Sequence, residues 1–125
     1  MPPTSIIDVR AVAINVTDQD KALDFYVDTL GFEKRLDAPI SPTSRWIEVA
    51  PVGAKTSIAL ANDGTIDVGS DTGIRFTVPD AEAEHAAMRE RGVVVGDILR
   101  WDGIPPMYTL DDPDGNRFYI VEEVS

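Results

Sequence analysis

Glu48 and Arg75 are the two side chains whose types and settings point most directly to chemistry. Arg75 lies in the run Gly73-Ile74-Arg75-Phe76-Thr77-Val78. Strand alternation there sends Ile74 and Phe76 to an apolar face and turns Arg75 the other way, beside Gly73. A guanidinium among small residues suits a carboxylate or another anion, which its planar fork can hold by two hydrogen bonds. It equally suits an internal salt bridge, with Glu48 as the foremost partner, and one arrangement can do both if the pair orients a ligand. Glu48 shares parity with Trp46, and turning these two away from the core leaves Ile47 and Val49 to fill it. Trp101, Met107, Tyr108 and Tyr119 come from the corresponding edge of the second half of the chain. Aromatic rings around a floor of small residues make a slot for a planar or apolar compound. The same rings could instead seal a subunit contact or plug the slot.

The other polar candidates are weaker. His85, the single histidine, falls in the middle of a helical stretch and reads as a solvated or half-buried helix residue. With no cysteine there is no thiolate nucleophile and no disulfide framework, which fits a reducing compartment. Asp112-Pro113-Asp114-Gly115-Asn116 is acidic but lacks the carboxylate spacing of a calcium loop, so it reads as a tight turn. Trp101-Asp102-Gly103-Ile104-Pro105-Pro106-Met107 reads as a rim loop stiffened by two prolines.

These residues are carried by a pattern that occurs twice. Ala11 to Asp18 is a strand-like run leading into a helix that Thr17 or Asp18 caps and Gly31 stops. Gly73 to Asp80 leads likewise into a helix over about 81–91, stopped by Gly92. Further strands are expected at Phe32 to Leu36, Arg45 to Ala50 and Thr56 to Ala61, with a loop carrying Pro39 and Pro42. In the second copy they are expected at Val93 to Val95, Ile98 to Trp101, Met107 to Leu110 and Arg117 to Glu122. Each copy is thus βαβββ, module one at about 6–62 and module two at about 72–123, joined by the Gly- and Asp-rich segment Asn62 to Thr72. Val12, Ile14, Val16, Ile58, Leu60, Phe76, Phe118 and Ile120 share the face that needs helices packed on it. The other face carries Ala13, Asn15, Ala59, Ala61, Gly73 and Thr77 near its centre, a composition suited to a pocket floor.

A length of 125 residues fits one domain with its own core. Eleven basic against 22 acidic side chains leave a formal charge of −11, the wrong sign for nucleic acid or an anionic membrane. Neither a signal-peptide pattern nor an apolar run of about 20 residues is visible, so the expectation is a cytoplasmic protein with no membrane span.

Asp18, Phe25-Tyr26 and Leu30-Gly31-Phe32, followed by Asp112-Pro113-Asp114-Gly115-Asn116 before a last strand, resemble the vicinal oxygen chelate superfamily. That superfamily includes glyoxalase I, extradiol dioxygenases, fosfomycin-resistance thiol transferases and bleomycin-binding resistance proteins. The resemblance runs from about Val9 to Glu122. It implies an α+β, glyoxalase-like fold in which two βαβββ modules, in pseudo-twofold arrangement, form a curled mixed sheet around a cleft, commonly in a homodimer. It also implies four metal ligands, one near the start and one near the end of each module. Those positions fall on Ala11, near Ala59, on Gly73 and on Tyr119, where no usable donor set exists.

The expectation is therefore a homodimeric protein without metal or other cofactor that binds a small organic ligand, as the bleomycin-binding branch does. Its ligand-binding residues are Trp46, Glu48, Arg75, Trp101, Met107 and Tyr119. A second reading is a metal-independent isomerase or lyase with Glu48 as base and Arg75 steadying a developing oxyanion. A third is a degenerate copy with a filled cleft and only a dimerisation role.

Overall fold

Asp18 and Asp80 occupy equivalent places because each opens a helix. In the computed structural model, which describes residues 3–65 and 67–124, the Asp18 carboxylate accepts from Asp20 N at 3.0 Å and Lys21 N at 3.1 Å. Asp80 accepts from Ala83 N at 3.1 Å. Both side chains satisfy backbone donors that the first helical turn cannot. The chain divides into two compact units, Met1–Asp63 and Gly64–Ser125, so the division falls inside the segment expected to join the modules; Ile66 of that segment lies outside the described residues.

In the first unit, β1 (Ala11–Asn15), β2 (Glu33–Ser41), β3 (Ser44–Ala50) and β4 (Ser57–Ala61) make one sheet in the order β1-β4-β3-β2. β1 runs parallel to β4 and the remaining pairs are antiparallel. Helix α1 (Gln19–Leu23) continues into a π-helical segment, Asp24–Thr29, where Leu30 N reaches back five residues to Phe25 O at 2.9 Å. An apolar stripe does not distinguish a regular from a widened turn, so this change of pitch was invisible in the periodicity. Tyr26 is fully buried there, edge-on to Phe25 at 5.1 Å and tilted against Phe32 at 6.0 Å. Ile14, Val16, Ile47, Val49, Ile58 and Leu60 complete the core, each burial worth about 1.5–3 kcal/mol.

The Pro39 loop is instead part of β2. Pro39 pairs with Arg45 on the outermost strand, with a register shift immediately after it. An edge strand tolerates a residue with no N–H, because one of its sides has no ladder to supply.

The second unit contains β5 (Asp71–Val78), α2 (Ala81–Glu90), β6 (Val94–Val95), β7 (Leu99–Trp101), β8 (Ile104–Asp111) and β9 (Arg117–Glu122). Its sheet order is β5-β9-β8-β6, with β7 also on β8 and β5 parallel to β9. The short strands β6 and β7 together take the place that the single strand β2 has in the first unit. Phe118, Leu110, Tyr108 and Ile120 are buried, and Phe76 stacks on Phe118 at 5.1 Å. Pro105 and Pro106 do not form a rim loop: they lie in the first residues of β8, where β9 has not yet begun to pair. Asp112 and Asn116 are buried in the turn before β9. The Asp112 carboxylate accepts from Asp114 N and Asn116 N, while Asn116 Oδ1 accepts from Gly69 N at 3.0 Å. The turn reading of that acidic motif holds. Among the described residues no helix is long and apolar enough to cross a membrane.

Candidate functional site

Strand parity on β3 places Ile47 and Val49 fully in the core and leaves Trp46 and Glu48 on the other face. The indole Nε1–H of Trp46 donates to Glu48 Oε2 at 2.8 Å. Arg10 Nη2 approaches the same oxygen at 3.4 Å from a side chain that is 78 % exposed, whereas that of Glu48 is only 4 % exposed. Sheet register sets Glu48 opposite Ala59 and Leu36, Ala59 opposite Ala13, and Trp46 opposite Ala38. Directly opposed residues share a face. Glu48 thus stands on a floor of alanines with one indole as its short-range partner.

Arg75 is engaged elsewhere. Its Nη1 donates to Gly73 O at 2.6 Å, and the guanidinium lies over the Tyr119 ring, 4.5 Å from the centroid. The guanidinium that meets Glu48 is that of Arg10, because Arg10 enters β1 beside the β4–β3 pair. Tyr119 donates its hydroxyl to Asp71 Oδ2 at 2.5 Å. That bond, reinforced by the Gly73 N–H, holds the Asp71 carboxyl below its ordinary range. The same bond, then burial, pushes the Tyr119 phenol up, so the two directions agree that the proton stays on Tyr119. Asp71 escaped sequence reasoning, although it shares parity with Gly73 and Arg75; extending the strand two residues would have exposed it.

Of the remaining expected residues, Met107 lies opposite Val121 and, on its other side, opposite Leu99. Trp101 lies opposite Ile104 at the hairpin end and is 55 % exposed. Tyr108 points into the core instead, edge-on to His85 at 4.8 Å and donating to Met88 Sδ at 3.3 Å. His85 is a half-buried helix residue whose Nε2 bonds Gly96 O at 2.8 Å.

A polar groove of about 490 Å³, which Glu48 does not line, is bordered by Asp20, Pro42, Ser44, Arg45 and Asn62. Its charges are matched to one another, Arg45 holding Asp37 through two hydrogen bonds and Asp20 at 2.8 Å. Gln19, also missed in the sequence, is structural: its amide bridges Arg45 O, Leu60 O and Arg45 N.

At the expected metal positions, Ala11, Ala59 and Gly73 offer no donor atom, and the Tyr119 hydroxyl is given to Asp71. These residues do not fit a divalent ion. Among the described residues no three His, Asp or Glu side chains gather where they could hold one.

The repeated βαβββ unit, with its parallel first and last strands, defines a glyoxalase-like protein. Residues 9–120 match the family model of the Glyoxalase/Bleomycin resistance protein/Dioxygenase superfamily, and the chain belongs to that superfamily. It is 38% identical to a crystal structure of a member of the superfamily from Sphaerobacter thermophilus DSM 20745, with a TM-score of 0.89 over 96% of this chain and 100% of that one. It is 35% identical to TnmS3, an antibiotic binding protein from Streptomyces sp. CB03234, with a TM-score of 0.88 over 98% of this chain and 100% of that one. It is also 31% identical to YetH, an uncharacterized protein of Bacillus subtilis (strain 168), over 94% of this chain and 99% of the relative.

Proposed function

We propose that this protein binds a small organic ligand without a metal ion, and that sequestration of an antibiotic-like compound is the form this binding takes. The observation that carries the reading is the buried Glu48 carboxylate, held by Trp46 on an alanine floor. A core has no use for such a group, whereas a binding surface needs a few polar atoms set among apolar ones. The likeness to the antibiotic-binding TnmS3 over nearly the whole chain supports the same direction. Trp46 and Glu48, both in the first unit, are the residues assigned to the ligand. The donor-poor metal positions support a metal-independent protein. A cytoplasmic homodimer belongs to the same reading, on the superfamily resemblance and the absence of cysteine.

A metal-independent isomerase or lyase acting through Glu48 and Arg75 is less favoured, because Arg75 is occupied by Gly73 and Tyr119. The test is thermal unfolding of chelator-treated protein against a panel of flat polycyclic compounds. A ligand at a hundred times its Kd stabilises by about 2.7 kcal/mol, and the upward shift in Tm is expected to be unchanged by added zinc or manganese. Stabilisation that requires the metal would overturn the proposal.

A further inference from the structure

Glu48 uses only one of its two oxygens. Oε2 takes both the Trp46 indole and the Arg10 contact, while Oε1 accepts no hydrogen bond from the described residues. A carboxylate offers about four lone-pair positions, and burying it with most of them empty is unfavourable unless something else fills them. The residues directly in row with it, Ala13, Ala59 and Leu36, have no side-chain donor; Asn15 and Ser57 lie on the same face in the adjoining rows, and neither donates to Glu48. Oε1 is not among the buried unpartnered side-chain atoms, so it is an acceptor that water, or the N–H of a ligand in its place, reaches from outside the chain.

Two further observations say what kind of donor. The formal charge of −11 draws cations toward the protein and repels anions. Arg10, at 3.4 Å and 78 % exposed, is a loose counter-ion that a better-placed cation can displace. The only other polar partner, Trp46, offers an aromatic ring at the edge of the alanine floor. Within the second unit Arg75 donates to Gly73 and covers Tyr119.

We infer, resting on the ligand-binding reading above, that this face selects flat aromatic compounds bearing a protonated nitrogen. The N–H donates to Glu48 Oε1, and the ring system lies beside Trp46 against the half-buried Ala13 and Ala38.

Two probes of similar shape and opposite charge separate the possibilities by calorimetric titration. Proflavine is a flat tricyclic cation with donating amino groups, and anthracene-9-carboxylate is a flat tricyclic anion. The wild-type protein is expected to bind proflavine more tightly. Glu48→Gln should weaken proflavine about tenfold or more while leaving the anion within about twofold, the difference reflecting loss of a charged hydrogen bond. Arg10→Ala, on an exposed side chain whose loss leaves the fold intact, should tighten proflavine severalfold and move the Trp46 indole N–H resonance on binding. Proflavine binding that is indifferent to both substitutions, or preference for the anion, overturns this inference while leaving ligand binding standing. Failure of both probes to bind overturns the inference and the binding face together.

Discussion

The hydrogen bond from Trp46 to Glu48 can be weighed from both ends. In Trp46→Phe, Glu48 Oε2 loses its only short donor, the one at 2.8 Å. Arg10 is 78 % exposed and contributes at most about 1 kcal/mol in its place. A hydrogen bond to a charged group is worth about 1.5–3 kcal/mol, and with the smaller ring the single substitution should cost about 2–4 kcal/mol. Glu48→Leu keeps the volume and removes the buried charge, which is favourable, but strands the indole N–H; these roughly cancel. Combining the two leaves neither a stranded donor nor a poorly held carboxylate. The double variant should therefore be more stable than Trp46→Phe alone, with a coupling of about 1.5–3 kcal/mol. Urea unfolding of the four proteins at pH 7 measures it. A coupling below about 0.5 kcal/mol would refute the reasoning, because the carboxylate would then be held by something other than the indole.

Gln19→Ala removes three hydrogen bonds that tie α1 to the ends of β3 and β4, and should cost about 2–4 kcal/mol in the same unfolding assay. Gly69→Ala should cost about 2 kcal/mol or more, since φ is +82° and a Cβ would sit 2.9 Å from Asp114 O; Gly64→Ala, at φ +75° with nothing within 4 Å, should cost only about 1 kcal/mol. For Asp71 the folded pKa is depressed by Tyr119. Its contribution to stability is therefore complete above the ordinary value of 3.8 and lost as pH falls through the lower folded value. Tyr119→Phe should raise the Asp71 pKa in a carbon-detected NMR titration and flatten the acid limb of stability; an unchanged titration would mean the hydroxyl is not what holds it.

The face around Glu48 was largely legible because strand parity has a period of two and needs no tertiary information. Once Ile47 and Val49 are assigned to the core, Trp46 and Glu48 must share the other side. Their mutual hydrogen bond follows from that shared face. The partner of Glu48 did not follow, since Arg10 reaches it through the order β1-β4-β3, which brings together segments 38 residues apart. The neighbours of Arg75 did not follow from parity and charge either: within its own unit it meets the Gly73 carbonyl and the Tyr119 ring along β5 and β9.

By itself, the sequence determined the repeated βαβββ order, a helix cap at Thr17 or Asp18, the glycine stops and the absence of donor atoms at Ala11, Ala59 and Gly73. Each of these depends on residue type or on neighbours within a turn or two of chain. Tertiary structure decided the widened turn at Asp24–Thr29, the strands that run through Pro39 and Pro105, and the partners of Glu48, Arg75 and Tyr119. Those depend on which strand is an edge and which side chains register opposite one another. Pairing between strands sets both, and no local pattern encodes it.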